Sequence, residues 1–287
     1  MIHDLSAEFT VRDLCQVLQV RPSGYYQWLK RVPGPREQSN RKLLEHIERT
    51  HRASRQTYGS PRVFRQLRRE NIPCGENRVA RLMRVQGIRA QCKRAFRPRT
   101  TDSRHAQHIA PNRTKQLPAP PAQPDQVWVA DITYVWTVAG WIYLAAVMDL
   151  CSRKIVGWFI GPSLETSLVK EALKQALVVR RPAPGLLHHS DRGIQYASSA
   201  FLALLHSYQI IPSMTAKGNC YDNAAMESFW STLKSELIAG QLFRDLAELR
   251  RAVFEYIETF YNRKRLHSAL GYQSPVEFEQ QLNYKKN

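Results

Sequence analysis

The chain has 287 residues, 43% apolar and 23% charged, which is the make-up of an ordinary globular protein and not of a disordered or fibrous one. Its formal net charge of +18 points to a polyanionic partner, most often nucleic acid. No apolar run reaches the roughly 18 residues of a membrane span. The five cysteines, Cys15, Cys74, Cys92, Cys151 and Cys220, form no close pairs, so a zinc knuckle and a disulfide framework are both excluded and free thiols in a reducing compartment are expected.

The charge is divided unevenly. Residues 1–124 carry 25 Lys and Arg against 9 Asp and Glu, a net +16; residues 125–287 carry 17 against 15, a net +2. An electrostatic binding half followed by a near-neutral half with another task is the expected organisation. The first ten residues are mixed polar and acidic, so no signal peptide is expected.

In chain order, residues 1–38 form a first helical unit. Thr10 can cap a helix from Val11 to about Leu18, and Arg21-Pro22-Ser23-Gly24 breaks it. Ser23 then starts an aromatic-rich helix holding Tyr25, Tyr26, Trp28 and Leu29, which gives the outline of a helix-turn-helix or of a plain helical hairpin. Residues 39–96 form a second, basic unit. Ser39 or Asn40 caps a helix to about Arg52; Ser60 and Pro61 start another to about Glu70; a third runs from Glu76 to about Gln86 and stops at Gly87. The outward positions of the last two helices hold Arg62, Arg65, Arg68, Arg69, Arg78, Arg81 and Arg84. Arginine's planar fork suits phosphate, so these predict DNA contact. Residues 97–124 read as a basic linker that ends in Pro118, Pro120, Pro121 and Pro124 and is expected to be an extended spacer. His105 and His108 lack metal-ligating partners there and read as linker residues.

Residues 125–287 predict three successive strands over 127–138, 141–150 and 154–161, and a helix over 167–180. A short strand ending at Asp191, a helix over 198–208, a strand over 210–214 and helices over 223–238 and 246–262 follow. The order β-β-β-α-β-α-β-α implies an α/β domain, a mixed five-stranded sheet flanked by helices, preceded by small all-α units. Three acids stand out by position: Asp131 on the first strand, Asp191 just past the fourth, and Glu227 in the first turns of a helix. If the first and fourth strands are neighbours, the aspartates converge and the helix brings Glu227 across from them. Three carboxylates drawn together repel, and a hard divalent cation relieves this, Mg²⁺ or Mn²⁺ more than zinc. Two such ions could serve in-line attack on a phosphodiester.

The flanks of these acids are specific. Trp128-Val129-Ala130-Asp131-Ile132-Thr133-Tyr134, His189-Ser190-Asp191-Arg192-Gly193-Ile194-Gln195-Tyr196 and Asp222-Asn223-Ala224-Ala225-Met226-Glu227-Ser228-Phe229, with 35 residues between the second and third acids, resemble the acidic motifs of the retroviral-integrase core. Lys234, seven residues after Glu227, matches the basic residue of that family on the same helix face. The tail Tyr261-Asn262-Arg263, Arg265-Leu266-His267-Ser268-Ala269-Leu270-Gly271-Tyr272 and Ser274-Pro275, with Thr57-Tyr58-Gly59-Ser60-Pro61-Arg62-Val63, is similar to bacterial insertion-sequence transposases of the OrfB type.

This resemblance implies an RNase H-like catalytic domain with Asp131, Asp191 and Glu227 as catalytic residues holding two Mg²⁺ ions, Mn²⁺ able to substitute. The implied activity is nicking of element ends and joining of the freed 3′-OH to another phosphodiester. It further implies DNA contact by Lys234, multimers that bridge two DNA ends, an upstream-frame OrfA-type partner or fusion, and a place in the bacterial cytoplasm on the nucleoid. Arg192 and Gln195 flank the second acid and are candidates for DNA contact. Asp222 is expected in a turn or cap and Asn223 as a cap. One of His188 and His189 is expected to pack into the sheet, and the tryptophans to be core or strand-face residues. Two other functions fit the same residues: a structure-specific nuclease or resolvase of the same fold, and a DNA-binding regulator without catalysis.

Overall fold

Glycine and proline set most of the helix starts in the amino-terminal half. The structure, a computed structural model, describes residues 1–91, 109–215 and 223–284. His105, His108, Cys92, Cys220, Asp222 and the basic residues of the linker before Ile109 lie outside the described residues. A short α1 (Ile2–Leu5) precedes α2 (Val11–Val17), where Thr10 accepts from the Asp13 N–H as expected. In α3 (Pro22–Leu29) the start is Pro22, with Arg21 as cap in place of Ser23. In α4 (Pro35–Ala53) the cap is Gly34, followed by Pro35, five residues ahead of the expected cap Ser39. Proline's fixed φ and missing N–H suit the first turn. The side chains of Ser39 and Asn40 cap nothing; they accept from Arg78 at 2.8 and 2.9 Å. The next helix, α5 (Ser60–Arg69), is capped by Gly59, and α6 (Glu76–Val85) ends as expected at Gly87, whose φ of +67° lets the Ile88 N–H return to the Met83 carbonyl.

The sheet comprises β1 (Val127–Thr137), β2 (Gly140–Asp149), β3 (Ile155–Gly161), β4 (Leu187–Ser190) and β5 (Ile211–Met214). Its order is β3-β2-β1-β4-β5, with β1–β2–β3 antiparallel and β4 and β5 parallel to β1. So β1 and β4 are neighbours, joined through α7 (Thr166–Arg180). Strand alternation sends Val127, Val129 and Val135 to one face and Trp128 and Ala130 to the other. The second face packs on α7, α8 (Ile194–Ala197) and α9 (Ser199–Ser207). The first packs on α10 (Ala224–Leu233), which continues as a π-helical turn through Ile238, and on α11 (Leu246–Phe254), which continues likewise through Tyr261. The side chain of Asn262 then pairs with both backbone groups of Ile155 at the start of β3.

Two features depart from expectation. A further helix, α12 (Pro275–Tyr284), follows, with Ser274 and Glu277 exchanging backbone and side-chain bonds as a capping box. Its Glu279 accepts from Lys154, Arg180 and Ser152 at 2.9 Å each, and Arg180 also grips Asp125 with two bonds. The described end of the linker is a strap and not a free spacer. Ala110 is buried beside α7–α9, and the Arg113 N–H bonds the Ser213 hydroxyl at 2.9 Å.

The basic helical unit is docked on the sheet domain. Leu43, Ile47, Tyr58, Val63 and Leu67 share one core with α10 and α11. The Tyr58 hydroxyl accepts from the Leu266 N–H at 2.7 Å, and Arg55 pairs with Glu255 at 3.0 Å. Beneath this seam, Arg265 and Glu236 form a bidentate ion pair with side chains only 6% and 2% exposed, which Tyr256 completes by donating to Glu236. Cys15, Cys74 and Cys151 are free thiols.

Candidate active site

Register places the two aspartates. Val129 of β1 is level with His189 of β4, and Asp131 and Asp191 each lie two residues further along, so they stand at one height on neighbouring parallel chains. Asp131 has the parity of Val129 and therefore faces α10. There the Trp230 indole N–H donates to Asp131 Oδ2 at 3.0 Å, while the Ile132 N–H donates to Oδ1 at 2.8 Å. Glu227 lies three residues before Trp230, close to one helical turn, and is exposed on the same helix. Asp191 is held by the Gly193 N–H at 2.9 Å. A Cβ at Gly193 would come within 3.0 Å of the Asp191 carboxylate oxygen, so glycine permits this close approach.

Burial, and then the charge of Asp191, raise the Asp131 pKa to about 7; Glu227 adds a smaller push, and the Ile132 and Trp230 bonds act against it. The two aspartates thus share an anionic field. Among the described residues no three acidic, His or Cys side chains stand ready to ligate a metal. The oxygen-only donor set still fits a hard divalent cation, because a cation would relieve the repulsion that protonates Asp131. Glu227 is exposed and near enough to add to the push on the Asp131 pKa.

Other residues near the acids take definite places. Lys234 lies over the Tyr134 ring at 5.1 Å; burial lowers its pKa and the charge of Asp131 opposes that. The Tyr196 hydroxyl is buried near both aspartates, and its pKa is pushed well above the ordinary value, first by burial. Arg192 donates to the Thr215 carbonyl at 2.8 Å, which ties the second acid's loop to the end of β5. Gln195 donates to the Leu164 carbonyl at 3.2 Å. Asn223 stands at the cap position, but its amide donates to the Ala130 carbonyl at 3.3 Å and does not cap α10. Both His188 and His189 are buried; His189 bonds Ser213, and burial drives His188 down to a pKa of about 3. Trp128 and Trp230 are core, while Trp136 and Trp141 are exposed and meet edge to face at 4.9 Å.

The arginines divide by task. Arg69 pairs with Glu277 of α12 at 2.5 Å and bonds the Tyr272 carbonyl; Arg65 lies 4.8 Å over the Tyr272 ring; Arg78 braces α4. These three hold the helical unit together and against the tail. Arg68, Arg81 and Arg84 are exposed, and Arg62 stands 5.8 Å over the Tyr58 ring. Sequence reasoning missed Trp230, Tyr196 and Gly193 as supports of the acids. Only the glycine had a local signal, its place two residues after Asp191.

Comparison with known proteins adds the following. Residues 121–220 and 227–282 each match a family described as an integrase core domain, and residues 38–96 match an HTH-like domain. The chain is 44% identical over 270 residues to the "Insertion element IS600 uncharacterized 31 kDa protein" of Shigella sonnei, which covers 94% of this chain and 98% of that one. It is 39% identical over 277 residues to the "Transposase InsF for insertion sequence IS3A" of Escherichia coli (strain K12), 95% of each chain. The catalytic core domain of BIV integrase aligns with 56% of this chain and 98% of its own, at 19% identity and a TM-score of 0.43.

Proposed function

The chain belongs to the insertion-sequence transposases of the IS3 type, and from that premise we propose that it nicks DNA at the ends of its element and joins the freed 3′-OH to another phosphodiester by in-line transesterification. The observation that carries this reading is the level pairing of Asp131 and Asp191 beneath the helix of Glu227, on an RNase H-like sheet of order β3-β2-β1-β4-β5. When bound, two Mg²⁺ ions, or Mn²⁺ in their place, would be held by Asp131, Asp191 and Glu227 and would supply activation of the attacking oxygen and neutralisation of charge on the leaving oxygen.

The chain's own residues prepare that chemistry. Trp230 and the Ile132 N–H fix the rotamer of Asp131, and the Gly193 N–H fixes that of Asp191, so neither carboxylate must be ordered when substrate arrives. Tyr196 fills the space behind the aspartates and keeps bulk water from that side. Lys234, which feels the charge of Asp131, would meet a phosphate oxygen of the strand being cut. No covalent enzyme intermediate is required. Arg68, Arg81 and Arg84 supply charge for DNA affinity, and a multimer would bring two DNA ends to two such sites.

The test is a strand-transfer assay on labelled element ends with Mg²⁺. Asp191→Asn and Glu227→Gln each lower nicking and joining by at least about a hundredfold while duplex affinity is retained. Joining that survives Asp191→Asn would overturn the mechanism. Nicked DNA without joined product in the wild type would favour the nuclease reading instead.

A further inference from the structure

A second feature lies on the other flank of α10. Ala224, Ala225, Ser228 and Thr232 leave that side of the helix short of bulk, and a cavity of about 280 Å³ opens there. Its other walls come from distant parts of the chain: Arg62 at the start of α5, Arg153 in the β2–β3 turn, and Arg265, His267 and Ser268 in the tail. No carboxylate stands among its described lining residues. The charge of Arg265 is answered by Glu236 outside the cavity, and Arg153, with no acidic side chain among the described lining residues, gives the cavity its sign. The guanidinium charges of Arg62 and Arg153, with that of Arg265, are felt by His267, whose pKa of about 3 is set first by burial, so its ring is neutral. The Nε2 of His267 is buried without a hydrogen-bond partner. Hydroxyls of Ser228, Thr232 and Ser268 complete the lining, so donors surround a positively charged hollow.

We infer that this cavity seats a backbone phosphate of the DNA on which the transposase acts. The inference rests on the proposed function above and gives it a second point of grip. Alpha-helices are about 10–12 Å across, which matches the roughly 12 Å width of the DNA major groove, so one duplex can lie against both flanks of α10, with Glu227 on one and the cavity on the other. The cavity exists only where the helical unit meets the catalytic half, because Arg62 belongs to the first and Arg153 to the second. A phosphate seated there would bind both halves at once and fix the approach of the strand to the acids.

The test measures binding of a fluorescent DNA duplex to the full chain, without divalent metal, over a series of salt concentrations. Arg153→Gln is expected to weaken binding by about tenfold and to make the plot of log affinity against log salt shallower by about 0.9, the share of one phosphate contact. Arg153→Lys recovers most of the slope. Ser228→Phe fills the cavity and leaves every charge in place; it too weakens binding, with the melting temperature unchanged. Wild-type affinity in both Arg153→Gln and Ser228→Phe, alongside intact strand transfer, overturns the seat and leaves the transposase reading standing. Weakening by Arg153→Gln alone makes the arginine part of a diffuse charged surface and also overturns it. A wild-type chain that binds no duplex at low salt removes both.

Discussion

Asp131 is held at a cost to the fold. Its folded pKa of about 7 lies above the ordinary carboxylate value of about 4, so between these values the folded chain binds more protons than the unfolded one. Stability therefore falls as pH rises through that window, and the full penalty, on the order of 2–4 kcal/mol, is present above about pH 7. Asp131→Asn is expected to abolish joining yet to raise the urea midpoint above about pH 7, with the gain vanishing near pH 4. Trp230→Phe removes the indole donor and pushes the Asp131 pKa further up. Its strand-transfer rate should drop about tenfold, with the acid limb of the pH profile moved to higher pH. The level pairing of Asp131 with Asp191 was legible in the expected neighbourhood of the first and fourth strands. Trp230 was not, because its role depends on the distance from a helix to a strand separated by 99 positions.

Most elements of the catalytic half were legible because apolar alternation and helical periodicity are local signals. Helix α12 escaped, although Ser274-Pro275-Val276-Glu277 spells a capping box, because its packing is polar and leaves no clear apolar period. Its Glu279 anchors two cations, and removing one member of so buried a cluster costs about 3 kcal/mol. Glu279→Ala should lower the urea midpoint accordingly. Salt contacts with Lys154 and Arg180 hold the Glu279 pKa below its ordinary value, against the opposing effect of burial. Its stabilising share is thus present above the ordinary carboxylate pKa and is lost as pH falls through the folded value. At the contact of β3 with α7, a Cβ on Gly157 would press on the Ala172 carbonyl and stand 2.7 Å from the Ala176 nitrogen. Gly157→Ala must move a helix off the sheet, and a loss of about 3 kcal/mol or more, read by thermal melting, is expected.

Across the whole molecule, the split of charge foretold a basic half but not how that half sits. Arg65 and Arg69 look in sequence like further phosphate ligands, and the structure commits them to Tyr272 and Glu277, 207 and 208 positions away. Contacts at such separation leave no periodic trace, and charge alone cannot tell a docking arginine from a DNA-facing one. The same holds for Tyr58, whose hydroxyl meets the tail. Tyr58→Phe leaves the buried Leu266 N–H without a partner and should cost about 1–3 kcal/mol, read as a lower urea midpoint, with the active site unaltered below the transition.

The parallel pairing of β1 with β4 also has a consequence in time. While the ribosome has yet to deliver Asp191 and Trp230, Asp131 sits on a strand without its neighbour and without the indole that orients it. Arg68, Arg81 and Arg84 have by then already been made. A nascent chain stalled short of Trp230 should therefore cling to duplex DNA and leave it uncut.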